Sequence, residues 1–160
     1  MEKVYIGKIV STHGIKSEVK ILSDFQFKDK VFKVGNSLII DDENYTIRSY
    51  RVHKGYDMVT LNNYDNINDI LFLLKKKVYF DKDNLKLNSM EVLDSDLLSY
   101  KVLTDDGKCG IIKEIFFGGV NNKIIGVMFE KEVLIPFNSP MILKIDKEKK
   151  EVIVKLIEGI

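Results

Sequence analysis

Apolar and polar residues alternate through most of this chain, the period expected of half-buried β-strands. Val4 and Ile6 begin the alternation, a phase break follows, and Ile9 resumes it. Val19 and Ile21 continue it beyond a turn at His13-Gly14, where glycine reaches positive φ without a Cβ clash. The spacing predicts an opening hairpin of residues 3–10 and 17–22. Asp24-Phe-Gln-Phe27 interrupts the pattern, and Phe25, Phe27 and Phe32 are expected in a core or plugging a barrel end. Ser37–Ile40, Tyr45–Val52 with a bulge, Met58–Leu61 and Val78–Phe80 read as further strands. They are separated by Gly35-Asn36, the polar loop Asp41–Asn44 and Lys54-Gly55.

From Asn66 to Lys75 the period changes. Ile67, Ile70, Leu71 and Leu74 fall at helical spacing, Asn66 is a suitable cap, and Asp69 lies in the first turn. Lys75, Lys76 and Lys77 follow, where cations suit the negative end of a helix dipole. Six strands and one short helix are enough for a small closed barrel. Residues 81–96 are mostly polar and acidic, with Leu85, Leu87, Val92 and Leu93 scattered among them, and read as a partly tethered linker. Alternation then returns over 97–103, 111–117, 124–129, 133–137, 141–145 and 151–156. Thr104–Gly107 and Gly118–Asn122 are turns, and Pro136, which lacks an N–H, belongs at a strand end or edge.

Composition narrows the classes. At 160 residues, 45% hydrophobic and 31% charged, the chain is that of an ordered, globular protein. A net charge of +1 is low for a general RNA binder, which depends on phosphate contacts. Residues 1–88 hold 15 Lys and Arg against 12 Asp and Glu, whereas residues 89–160 hold 10 against 12. The acidic second half suits a basic protein better than naked nucleic acid. The single cysteine, Cys109, excludes an intrachain disulfide and fits a reducing compartment. Met1-Glu2-Lys3 leads straight into a strand pattern, and no run approaches the roughly 18 apolar residues of a membrane span. A cytoplasmic location without membrane association is expected.

His13, His53 and Cys109 lie at no metal-ligand spacing, and no phosphate loop, dinucleotide fingerprint or nucleophile elbow occurs. Gly107-Lys-Cys-Gly110 has the glycine spacing of a KH loop but joins strands, so it reads as a hairpin turn. No metal, cofactor or catalytic constellation is expected. Lys75, Lys76 and Lys77, with Lys8, Lys16 and Lys20, are candidates for a basic surface facing RNA, and His13 for a contact to phosphate. A capped helix end and ordinary strand-surface lysines would give the same residues. Tyr5, Tyr45, Tyr50, Tyr56 and Phe72 are expected in the barrel core rather than as stacking platforms.

The opening run Gly7-Lys-Ile-Val, Thr12-His-Gly-Ile-Lys16 and Glu18-Val-Lys20 resembles the signature of the RimM family, factors for maturation of the small ribosomal subunit. The resemblance continues through Asp96-Leu97-Leu98, Val102, Thr104-Asp-Asp-Gly107, Gly110, Ile115, Gly119-Val-Asn-Asn122, Leu134-Ile-Pro-Phe137, Asp146 and Glu158-Gly159. It implies a mainly β protein of two small β-barrels joined by a linker, with one short helix in the first. The boundaries are 1–82 for a RimM-type barrel, 83–96 for the linker and 97–160 for a PRC-type barrel. It also implies a non-enzymatic assembly factor that binds the immature small subunit and its rRNA through a head protein, number nineteen in the family. The alternative class is a small flavin-binding barrel or enzyme. Three places depart from the family pattern. Ser17 and Ser99 stand where the family has glycine, and Val92-Leu93 stand where it carries adjacent tyrosines. Val92 and Leu93 are therefore the candidates for the partner surface, unless they simply tether the linker.

Overall fold

A computed structural model describes residues 2–14, 17–118 and 122–157. The chain divides into two compact units, 1–86 and 87–160. The first contains β1 (Lys3–His13), β2 (Glu18–Leu22), α1 (Lys28–Val31), β3 (Ser37–Ile40), β4 (Glu43–His53), β5 (Tyr56–Leu61) and β6 (Lys77–Asp81). Its strands form a closed barrel in the order β1-β2-β5-β4-β3-β6.

The phase break in β1 is a real irregularity. Register slips between Tyr5 and Gly7 against β6 and between Ile9 and Ser11 against β2, so Ile6 and Ile9 both point inward. Gly7 sits at the slip because nothing larger fits. A Cβ there would lie 2.8 Å from Ile21 Cγ2 and 2.9 Å from the Leu22 carbonyl oxygen. Val19, Ile21, Leu38, Ile40, Ile47, Val59, Leu61, Val78 and Phe80 fill the rest of the barrel. Phe32 is buried among them, with Phe25 packed against this core.

The stretch expected as one helix folds differently. Ile67–Asp69 and Leu71–Leu73 are two 3₁₀ turns, and the first unit's short α-helix is Lys28–Val31. Asn66 does cap, its side chain accepting from the Asn68 N–H. Three residues per turn, rather than 3.6, then put Ile70 and Leu73 inward and leave Leu71 and Phe72 exposed.

The second unit contains α2 (Asp94–Leu97), β7 (Lys101–Thr104), β8 (Cys109–Phe117), β9 (Lys123–Met128), β10 (Glu132–Pro136), β11 (Ile142–Asp146) and β12 (Glu151–Val154). Its sheet runs β10-β9-β8-β7-β12-β11, with β12 parallel to β7 and the other pairs antiparallel. Pro136 ends the edge strand β10. Leu97 and Leu98, expected to open a strand, instead form the end of a helical turn that begins with Asp94 and buries Leu97. Acidic residues in a first turn favour this conformation. Val102, Ile112, Ile125, Val127, Ile135, Val152 and Val154 form the second core.

Candidate functional surfaces

The barrel register brings the dispersed lysines of the first unit together. Lys8 on β1 pairs with Lys77 on β6. Just before β6, the Lys75 N–H donates to the Ile9 carbonyl and the Ile9 N–H donates to the Lys76 carbonyl, both at 2.9 Å. Lys75 adopts a positive φ of 66°, which turns the chain out of the second 3₁₀ turn and onto β1. The lysine run therefore lies against Lys8 because backbone pairing holds it there. Lys3, Asp41, Asp42, Lys75, Lys76, Lys77 and Tyr79 line a shallow hollow of about 340 Å³.

Not every cation here is available. Lys76 is 3.0 Å from Asp41, and Lys3 is 2.8 Å from Asp42 while lying over the Tyr79 ring. The Lys3–Asp42 hydrogen bond raises the lysine and lowers the carboxyl from their ordinary values. Lys8, Lys75 and Lys77 make no ion pair among the described residues, so they present the net positive charge.

A second group gathers at the tips of the β1–β2 and β4–β5 hairpins. The His13 and His53 rings are 5.3 Å apart. Arg51 grips Glu18 through two hydrogen bonds of 2.7 and 2.8 Å, and Lys20 sits 4.1 Å above the Tyr56 ring. Lys54-Gly55, both at positive φ, form the two-residue turn that carries His53 to this end. Partial loss of water, then the charges of Arg51, His13, Lys54 and Lys20, push His53 below its ordinary value. The Arg51 guanidinium holds Glu18 below the usual carboxylate range. Of the expected RNA-facing residues, Lys8, Lys75, Lys76 and Lys77 share one area, and His13 and Lys20 share the other. Lys16 lies outside the described residues.

Residue spacing alone did not reveal Arg51, His53 and Lys54 as neighbours of His13. The available signal was the hairpin at Lys54-Gly55, which forces His53 to a barrel end. The expectation of a core position fails for Tyr5 and Phe72, which are exposed. Tyr5 meets Tyr79 edge-on at 5.7 Å and Phe72 leans on Tyr64 at 6.3 Å, so both are packed on the outside. Tyr56 is half-buried beneath Lys20.

Val92 and Leu93 are 4% and 5% exposed, and Val92 belongs to the second core. The Leu93 carbonyl accepts from the N–H groups of Asp96 and Leu97, fixing the start of α2. Such burial matches a tether and leaves little of either side chain for a partner. Ser17 has a φ of 60°, which is why glycine suits that position. Its hydroxyl donates to the Tyr64 carbonyl at 2.6 Å, an anchor glycine lacks. Ser99 has no positive φ and donates to the Asp96 carbonyl at 2.7 Å.

Residues 4–85 match the RimM N-terminal domain and residues 94–160 match the RimM PRC barrel domain. The ribosome maturation factor RimM of Staphylococcus saprophyticus is 37% identical over 166 residues, covering 99% of this chain and 98% of that protein. Its counterpart in Staphylococcus aureus strain JH9 is 35% identical over 165 residues with the same coverage. This chain belongs to the RimM family.

Two solved RimM structures are also similar. That of Pseudomonas aeruginosa is 22% identical at a TM-score of 0.46, covering 99% of this chain and 100% of that one. The N-terminal domain of RimM from Thermus thermophilus is 14% identical at a TM-score of 0.48, covering 54% of this chain and 98% of that one. Family membership rests on the sequence matches. Among the described residues, no helix is long and apolar enough to cross a membrane.

Proposed function

We propose that the chain is a non-catalytic maturation factor of the small ribosomal subunit, acting in the cytoplasm and assisting the processing of its rRNA. The observation that carries this reading is similarity to ribosome maturation factors over 99% of the chain, with both RimM domains in order. The second unit binds a basic protein of the subunit head, the one numbered nineteen in the family. The first barrel turns Lys8, Lys75 and Lys77, and the group around His13 and Lys20, towards ribosomal RNA. A linker over residues 83–96 lets each unit engage its own partner. The mechanism is chaperoning: binding favours one arrangement of RNA and protein, and the factor leaves when the mature arrangement no longer fits it.

Sedimentation of cell lysate tests the function directly. The chain is expected with small-subunit precursors and not with complete ribosomes; a profile confined to free protein would overturn the reading. Salt tests the division of labour. With a net charge of only +1, affinity for the precursors falls shallowly with salt, whereas a slope of about six or more released counterions would make RNA the main partner.

A further inference from the structure

The outer face of β8, β9 and β10 carries a patch that the second core does not use. The register sets out its rows: Ile111, Met128 and Glu132, then Glu114, Gly126 and Leu134, then Phe116, Ile124 and Pro136. The inward rows between them are Ile112, Val127 and Val133, then Ile115, Ile125 and Ile135. These strands are thus apolar on both phases, where a solvated sheet face alternates with polar residues. Ile111, Phe116 and Leu134 are 57%, 38% and 50% exposed. Leu134 also lies on the edge strand, next to backbone that no further strand covers among the described residues.

At the centre of this patch is Gly126. A Cβ built there would lie 3.1 Å from Glu114 Cγ, 3.1 Å from Glu132 Oε1 and 3.3 Å from Phe116 Cε2. Two acidic side chains from opposite neighbouring strands therefore converge over the glycine, with an aromatic ring beside them. Neither the Glu114 nor the Glu132 carboxylate makes an ion pair or hydrogen bond among the described residues. Like charges brought together over one residue repel, and a cation placed between them removes that repulsion.

We propose that this face docks a segment of a basic protein. One lysine or arginine of that segment lies between Glu114 and Glu132, and its apolar neighbours cover Ile111, Phe116, Ile124 and Leu134. An arginine or lysine meets both demands of the site, because its stem is apolar and its head charged. RNA fits poorly, since its phosphates would meet two carboxylates. A second copy packed through the same face would bring four carboxylates together. The inference rests on the reading of the second unit as the half that binds protein, and it names the surface.

The test is photo-cross-linking in cells from a benzophenone amino acid replacing Leu134 in the full chain. The expected product joins position 134 to a basic protein, at a peptide with a lysine or arginine between apolar residues. In a Glu114→Lys, Glu132→Lys background its yield falls about tenfold or more, as reversal of close interfacial charges requires. The melting temperature stays unchanged because both side chains are exposed. A product with RNA or with a second copy, a product that survives the charge reversal, or no product overturns the proposal. Sedimentation separates the two readings. If the unmodified chain does not travel with precursors, the proposed function fails. If it does, and the charge-reversed chain still cross-links as before, only the docking surface fails.

Discussion

The two units are built from the same alternating strands but treat their charged side chains differently. In the first unit, charges are tied between strands and loops: Glu18 to Arg51, Asp42 to Lys3, Asp41 to Lys76 and Asp65 to Arg48. Even a buried carboxylate has a cationic partner there. Asp57 accepts from the Tyr50 hydroxyl at 2.6 Å, and Lys28 lies 3.0 Å from its other oxygen, as an ion pair rather than an aligned hydrogen bond. The second unit holds Lys123 to Asp94 at 2.8 Å but leaves Glu114 and Glu132 unpaired on an apolar face. Closure explains part of this contrast. A closed barrel has no free edges and can pair its surface around the ring, whereas β10 and β11 remain edges of the second sheet. Stability in both units rests on their buried apolar cores, and the difference lies in how surface charge is paired.

The sharpest way to break the comparison is at Val92 and Leu93, the proposed partner-surface candidates that the structure buries. Val92 belongs to the second core, and Leu93 is buried as well. The Val92→Ser, Leu93→Ser variant is expected to lose about 3–6 kcal/mol in urea unfolding, from roughly 1.5–3 kcal/mol per fully buried side chain. Binding to the proposed head-protein partner should fall only as far as the fold does. Lost binding with an unaltered unfolding curve would return both residues to the partner surface and place recognition at α2.

A smaller effect is expected in the first barrel at Asp57→Ala. The change removes the acceptor of a half-buried tyrosine hydroxyl and the partner of Lys28, and should cost about 2–3 kcal/mol. Burial and the Asp57 hydrogen bond both raise Tyr50 above its ordinary value, so the variant should also ionise Tyr50 at lower pH. Ultraviolet titration reads this directly. An unchanged tyrosine titration, or a loss confined to a few tenths of a kcal/mol, would show that the network does not hold the barrel.

Strand count and hairpin positions were legible because the alternation is strong and its breaks carry glycine. The irregular stretches were less so. Residues 66–75 satisfy a helical spacing, but Ile70 and Leu73 also satisfy the three-residue spacing of 3₁₀ turns, and packing on the barrel selects the second. Asp57 was hidden because its strand begins two residues earlier than the apolar run suggests, which turns an apparent loop carboxylate into a buried one. The lysine surface was half legible: the run at 75–77 is plain in sequence, while its neighbour Lys8 depends on the β1–β6 register. The acidic, apolar face was the least accessible. Its residues come from three strands, and only the register shows that Glu114 and Glu132 flank the same glycine.

The smallest expected effect lies in the histidine pair, where the first barrel departs from its own rule of tied charges. His53 faces Arg51, Lys54, Lys20 and His13, with Glu18 the acidic group in the cluster and already bound to Arg51. Its folded value is below the ordinary 6.5, so the fold favours the neutral ring. The unfolded chain therefore binds more protons as pH falls below 6.5. Stability is full above that value, declines towards the folded value and then levels off. The unfolding midpoint should drop slightly as pH falls below 6.5, and His53→Gln should remove that part of the slope. Imidazole proton resonances of the full chain give the more direct reading: His53 should titrate below 6.5, and a short RNA should move it upward by placing phosphate beside the ring. A titration that RNA leaves unmoved would take this end of the barrel off the RNA-facing surface and leave that role to Lys8, Lys75 and Lys77.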